Sequence, residues 1–316
     1  MDFSTLTSQF GALTFDGLVL GSIYALVALG YTLVYGVLRL INFAHSEIFM
    51  LGTFGALFAT QLMGIPALGE YRTGLSLVVT VVAVCLLSML VSGTAAVVLE
   101  RIAYRGLRKR GASRLTALIS AIGASLFLQE AIAVWRGRNY EAFPRFMEKK
   151  TLFSVFGADI RTDKLLILVA AIAMMWALER FIARTRLGRG IRAVAQSPDT
   201  SILMGVNIDR VISVTFLLGG LMAGFAGALN EIYYEQTRFS IGVILGMKAF
   251  TAAVLGGIGN LRGALLGGIV LGVVESWGGA VFGASWRDVV AFVILVAVLM
   301  FRPTGLLGET MQKARA

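Results

Sequence analysis

The chain holds one histidine and one cysteine in 316 residues, and each scarcity excludes a class of function. Cys85 stands alone in an apolar run, so no disulfide can form within the chain and the thiol reads as a buried structural residue. One imidazole and one thiol cannot supply the usual clustered metal ligands, and no serine, histidine and aspartate grouping is suggested. No catalytic residue and no metal site is expected. No Gly-Lys dipeptide occurs anywhere, which rules out the phosphate-cradling loop G-x-x-x-x-G-K-[ST]. The first seventeen residues, MDFSTLTSQFGALTFDG, lack lysine and arginine, so they do not read as a cleavable signal peptide with a basic start. The first helix is expected to be a retained span.

Charge is also scarce, and what is present is apolar. Hydrophobic residues make up 57% of the chain against 15% charged, too much apolar surface for a soluble domain of this length to hide. Apolar runs at about 15–36, 44–64, 75–99, 115–135, 165–183, 211–230 and 286–301 each approach the ~20 residues an α-helix needs to cross hydrocarbon. They are continuous rather than alternating, which favours helices over a barrel. Between 242 and 283 a piece at 244–258 is short, and Gly256, Gly257 and Gly259 break it from a longer run beginning at Gly263. The expectation is an all-α polytopic transmembrane helix bundle, residues 1–316 as one domain, with about eight full spans plus a short or re-entrant helix.

Lysine and arginine exceed aspartate and glutamate by 28 to 18, and their placement decides what the excess means. Glu100–Arg114 and the stretch holding Arg180, Arg184, Arg186, Arg189 and Arg192 concentrate positive charge beside helix ends. That is the positive-inside pattern of a membrane protein, not a nucleic-acid footprint. It puts both stretches in the cytoplasm and the N-terminus outside. The tail after Pro303, with Arg302, Lys313 and Arg315, is then cytoplasmic. Residues 136–164 form the long external loop; its mixed charges suit either contact with a partner or a solvated connector.

Three groups of residues stand out. Residues 184–210 are a polar, small-residue segment between apolar runs, suited to docking something outside the membrane. Asn42, His45, Ser46 and Glu47 sit between two apolar runs with almost no loop. They suit either a helix start, with Asn42 or Ser46 capping and Glu47 facing the dipole, or a place on a translocation path. Gly263, Gly267, Gly268 and Gly272 are spaced to expose a nearly bare helix face, which suits tight helix packing. Glu47, Glu130, Glu231 and Glu275 are the carboxylates nearest to the spans, and so the candidates for ion coupling.

The runs GLVLGSIYALVALGYTLVYGVLRLINFAHSEIFMLG, LTALISAIGASLFLQ, LGRGIRAVAQSPDTSILMGVNIDRVI and GMKAFTAAVLGGIGNLRGALLGGIVLG, with the ending RPTGLLG, resemble the LivH branch of branched-chain amino acid ABC transporter permeases. The resemblance covers nearly the whole chain; Ser46 departs from the usual NFAHGE. It implies a bacterial inner-membrane permease subunit working with a second, LivM-like permease, two cytoplasmic ATPase subunits and a periplasmic solute-binding protein. It implies no enzyme activity and no cofactor for this chain, with ATP and magnesium on the partner ATPase. The coupling contact falls to Gly190, Ala193, Ala195, Asp199 and Gly205, with Ser197-Pro198-Asp199 starting a helix. Branched-chain or other apolar amino acids are the implied solutes. A urea or amide permease of the same family, or a stand-alone ion-coupled carrier, are the competing readings.

Overall fold

The computed structural model describes residues 3–67, 69–155, 157–302 and 304–308. Pro303, Lys313 and Arg315, invoked above for the tail, lie outside the described residues. The helices run α1 (Phe3–Ser8), α2 (Phe10–Leu38), α3 (His45–Leu62), α4 (Gly74–Leu99), α5 (Arg105–Lys109), α6 (Arg114–Arg136), α7 (Thr162–Arg184), α8 (Arg186–Gln196), α9 (Pro198–Leu203), α10 (Ile208–Tyr234), α11 (Ile241–Gly256), α12 (Leu261–Phe282) and α13 (Arg287–Phe301). Each apolar run foreseen from the sequence coincides with a helix.

Among the described residues, seven helical stretches are long and apolar enough to cross a membrane. The difference from eight lies in α3. At 18 residues it is long enough, but His45, Ser46 and Glu47 in its first turn make it less apolar than the seven. Helix α11 is the short element, 16 residues long and so about 24 Å against the ~30 Å of a bilayer core. It ends where Gly257 and Gly259 take φ of 104° and 101°, left-handed backbone that side chains resist.

Two stretches that read as loops are helical. One π-helical turn, Glu100–Tyr104, joins α4 to α5, so 74–109 is a continuous rod and the basic cluster rides on it. Positive charge beside an apolar run reads as a loop, yet arginine and lysine are good helix formers and let the helix continue. The stretch after Arg184 likewise folds as α8 and α9. Thr185 Oγ1 accepts from Gly188 N–H at 2.9 Å; Ser197 Oγ accepts from Thr200 N–H at 3.3 Å, with Pro198 in the first turn as the Ser-Pro-Asp sequence predicts.

Helix α2 is the buried centre, with α12 laid along it. A Cβ on Gly17 would fall 2.5 Å from the Cα of Val273, and one on Gly268 would fall 2.6 Å from that of Ala25. The backbones therefore touch, which is how helices associate where water supplies no driving force. Helix α10 packs against α2, α3 and α4 in the same way. Ser88 Oγ lies 2.7 Å from the Gly52 carbonyl and 2.5 Å from that of Gly224, pinning α4 to α3 and α10. The outer faces carry exposed Leu75, Val134, Trp176 and Met300, a surface suited to lipid.

Away from the arginine-rich end, 136–161 is not wholly irregular. Strands β1 (Glu141–Ala142), β2 (Thr151–Val155) and β3 (Ala158–Arg161) lie here, and β4 (Gln236–Thr237) follows α10. Strand β1 pairs antiparallel with β4, and β2 with β3. Lys149 pairs with Glu235 at 2.5 Å, tying this segment to the end of α10.

Candidate functional site

At the arginine-rich end, α8 and α9 form an angled pair beneath α7 and α10. Helix α8 buries Ile191 and Val194, while Arg192 donates to the Ile182 carbonyl, so its inner face is held to α7. Gly190 faces α10, where an added Cβ would stand 3.3 Å from Val211. Ala193 and Ala195 are half-buried, and the Ala195 carbonyl accepts from Arg39 at 2.8 Å, linking α8 to the end of α2. Asp199 is exposed in the first turn of α9, where a carboxylate complements the dipole. Gly205 is exposed with φ of 80°, ending α9 in a turn a side chain would strain.

The five residues assigned here from sequence thus do not share one face. The outermost group is one they omit: Ile202, Leu203 and Met204 are 57, 86 and 79% exposed. Three consecutive apolar side chains stand exposed at the tip of α9, on a segment otherwise polar. The sequence carries the signal as SILMG inside a polar stretch.

Asn42, His45 and Glu47 come together inside the bundle rather than at its rim. All three are at most 3% exposed. The chain turns at Arg39, φ 55°, folds inward and starts α3 beside Gly30, where a Cβ would collide with the His45 ring. Neither Asn42 nor Ser46 caps α3. Asn42 Oδ1 accepts from Tyr104 O–H at 2.7 Å and Ser46 Oγ donates to the Phe43 carbonyl at 2.7 Å; the cap position is Ala44. Their side chains are drawn away because the helix start is walled by packed helices. Glu47 does occupy the first turn, accepting from Ser125 at 3.3 Å with Ser46 Oγ at the same distance. His45 packs edge-on to Tyr31, ring centroids 4.7 Å apart.

The glycines of α12 divide between two contacts. Gly268 and Gly272 face α2, while Gly263 and Gly267 face α11 at Gly256 and Ala252. Sequence reading missed Lys248, which lies in α11 and is 8% exposed. It pairs with Glu275 at 2.8 Å and Asp288 at 2.6 Å, and Tyr24 O–H reaches Glu275 at 3.3 Å. Its partners sit on α12 and α13, so no local pattern announces them. Of the candidate carboxylates, Glu130 is exposed and paired with Arg138 at 2.5 Å, whereas Glu231 is fully buried.

A bundle with lipid-ready outer faces, glycine-tight helix contacts and a polar interior defines a polytopic α-helical membrane protein. Its fold is similar to that of a metal-chelate type ABC transporter solved in an inward-facing conformation, with a TM-score of 0.51 and 12% identity over 91% of this chain and 86% of that one. The chain belongs to the family of branched-chain amino acid transport system permease components, whose model matches residues 13–299. It is 43% identical to the high-affinity branched-chain amino acid transport system permease protein BraD of Pseudomonas aeruginosa, over 93% of this chain and 94% of the relative. It is 41% identical to the corresponding protein LivH of Escherichia coli over the same shares.

Proposed function

We propose that this chain is the membrane-spanning permease subunit of an ATP-driven importer of branched-chain amino acids in a bacterial inner membrane. The observation that carries the reading is identity of 41–43% sustained over 93% of the chain to two relatives named as high-affinity branched-chain amino acid transport system permease proteins. With no phosphate-binding loop in the sequence, the energy comes from elsewhere. ATP and magnesium belong to two cytoplasmic ATPase subunits. A second, related permease completes the membrane unit, and a periplasmic binding protein delivers the solute. The N-terminus lies outside and the C-terminus inside, following the arginines at the α5 and α8 ends.

The tip of α9 supports a seat for the ATPase. Exposed apolar side chains on a polar surface mark interaction sites, and Ile202, Leu203 and Met204 form such a knob on a pair of helices bound to α2, α7 and α10. Movement of the ATPase pair would reach the bundle through those helices. Gly190 and Gly205 allow the close packing and the turn that present the knob, and Asp199 stabilises α9.

Affinity purification of this chain from mild detergent tests the reading. An ATPase and a second permease should co-purify, and the triple change Ile202→Ser, Leu203→Ser, Met204→Ser should lose the ATPase while keeping the permease partner. Recovery of the chain alone would sink the assignment; undiminished ATPase on the triple variant would sink the seat.

A further inference from the structure

A cavity of about 240 Å³ opens among α2, α10 and α11 on the side of the β1–β4 pairing. That is below the ~300–1,000 Å³ of pockets for drug-sized ligands, and suits a solute of a few heavy atoms. Its inner end is polar and its flank apolar. Asn230 and Lys248 line the inner end, and Ile241, Ile244 and Leu245 the flank. At the mouth Arg238 stacks over Tyr140 with its guanidinium carbon 5.2 Å from the ring centroid.

The polar end is incompletely satisfied. Asn230 is 1% exposed, and among the described residues neither its Oδ1 nor its Nδ2 has a hydrogen-bond partner. The adjacent Glu231 carboxylate is the nearest candidate partner for this amide, yet both of its oxygens are themselves without a hydrogen bond. Buried amides are ordinarily bonded, and an orphan calls for an explanation. Lys248 has three N–H donors and spends two, on Glu275 and Asp288, which leaves one. Glu275 Oε2 is unpartnered as well.

We propose that this cavity binds the zwitterionic head of an amino acid, with Asn230 and Lys248 as its polar contacts. The Asn230 NH₂ and the spare Lys248 N–H donate to the solute carboxylate, while Asn230 Oδ1 accepts from its ammonium group. The aliphatic side chain lies against Ile241, Ile244 and Leu245. The assignment of an amino acid rests on the importer reading above, whereas the cavity and its unpaired groups stand without it. Ile244 is 55% exposed, so this wall stays open to whatever packs on α11.

Cysteine protection in the complete purified transporter tests the site. Ser240→Cys places a thiol in the cavity lining, and Thr151→Cys places one on the exposed β2 strand. L-Leucine at saturating concentration should slow maleimide modification of Ser240→Cys at least fivefold and leave Thr151→Cys unchanged. Adding Asn230→Leu should abolish the protection in a variant that still assembles with its partners. Equal rates with and without leucine overturn the site, as does protection that survives Asn230→Leu, or an Asn230→Leu chain that no longer assembles and so needs the amide for structure. L-Leucinamide, which lacks the carboxylate, and 4-methylpentanoate, which lacks the ammonium group, should each protect at least fivefold less well; equal protection by either overturns the zwitterion assignment. Leucine uptake by the same preparation in proteoliposomes is scored separately. Its absence counts against the importer reading, while the protection rates still judge the cavity.

Discussion

Asn42 and Tyr104 meet across 62 positions of sequence, 2.7 Å apart and both buried, and their contact holds the inward-folded chain against the rod of α4. Loss of the phenol would leave the Asn42 carbonyl oxygen buried and unsatisfied, at a cost of about 1–3 kcal/mol. Tyr104→Phe should therefore lower the thermal unfolding midpoint of the purified chain while insertion and yield stay near normal; an unchanged midpoint would show that the bond contributes nothing. The composition of NFAHSE announces polar residues near the membrane, but it cannot say that they are walled in. A capping reading and a buried reading predict the same sequence there, and the choice is made by Tyr31, Tyr104 and α11, all distant in the chain. Lys248 is a harder case. A single lysine in an apolar run gives no sign of Glu275 and Asp288, because each partner lies on a different helix.

At the scale of elements, hydropathy was a good guide because the membrane imposes a length on every span, and Gly256, Gly257 and Gly259 marked the end of α11 for a similar local reason. Charge was a poorer guide to helix ends. The cluster after Glu100 looks like a loop, yet it continues α4 through a π turn, and its arginines lock the rod to α10. Arg108 pairs with buried Glu100 at 3.2 Å and with Asp209 at 2.5 Å, while Ser213 donates to Glu100 at 2.9 Å. Breaking a buried pair typically costs 3–5 kcal/mol; water reaches Arg108, so about 3 kcal/mol is expected here. Arg108→Ala should be markedly destabilised in thermal unfolding, and Glu100→Gln in the same background should restore part of the loss by removing the uncompensated charge. A double variant no more stable than the single one would refute this account of the network. The α8–α9 stretch stands out in the sequence as polar and rich in small residues, but its apolar tip does not. Among the large hydrophobic side chains of that segment, Leu203 is the most exposed at 86%.

For the whole molecule, the fold class followed from composition, and the family from long matching runs that no single motif could have supplied. The cavity beside Asn230 and Lys248 was not legible, because it depends on which side chains from α2, α10 and α11 converge. A permease driven by a separate ATPase differs from an ion-coupled carrier in where its energy enters. Buried Glu231 and Glu275 would be the coupling groups of a carrier, while the exposed tip of α9 would have no use in one. The decisive measurement is uptake of labelled L-leucine into proteoliposomes, comparing this chain alone with the complete purified assembly. The account predicts that the assembly accumulates leucine only with ATP, and that the chain alone is inert under any imposed proton or sodium gradient. Gradient-driven leucine uptake by the isolated chain would contradict it.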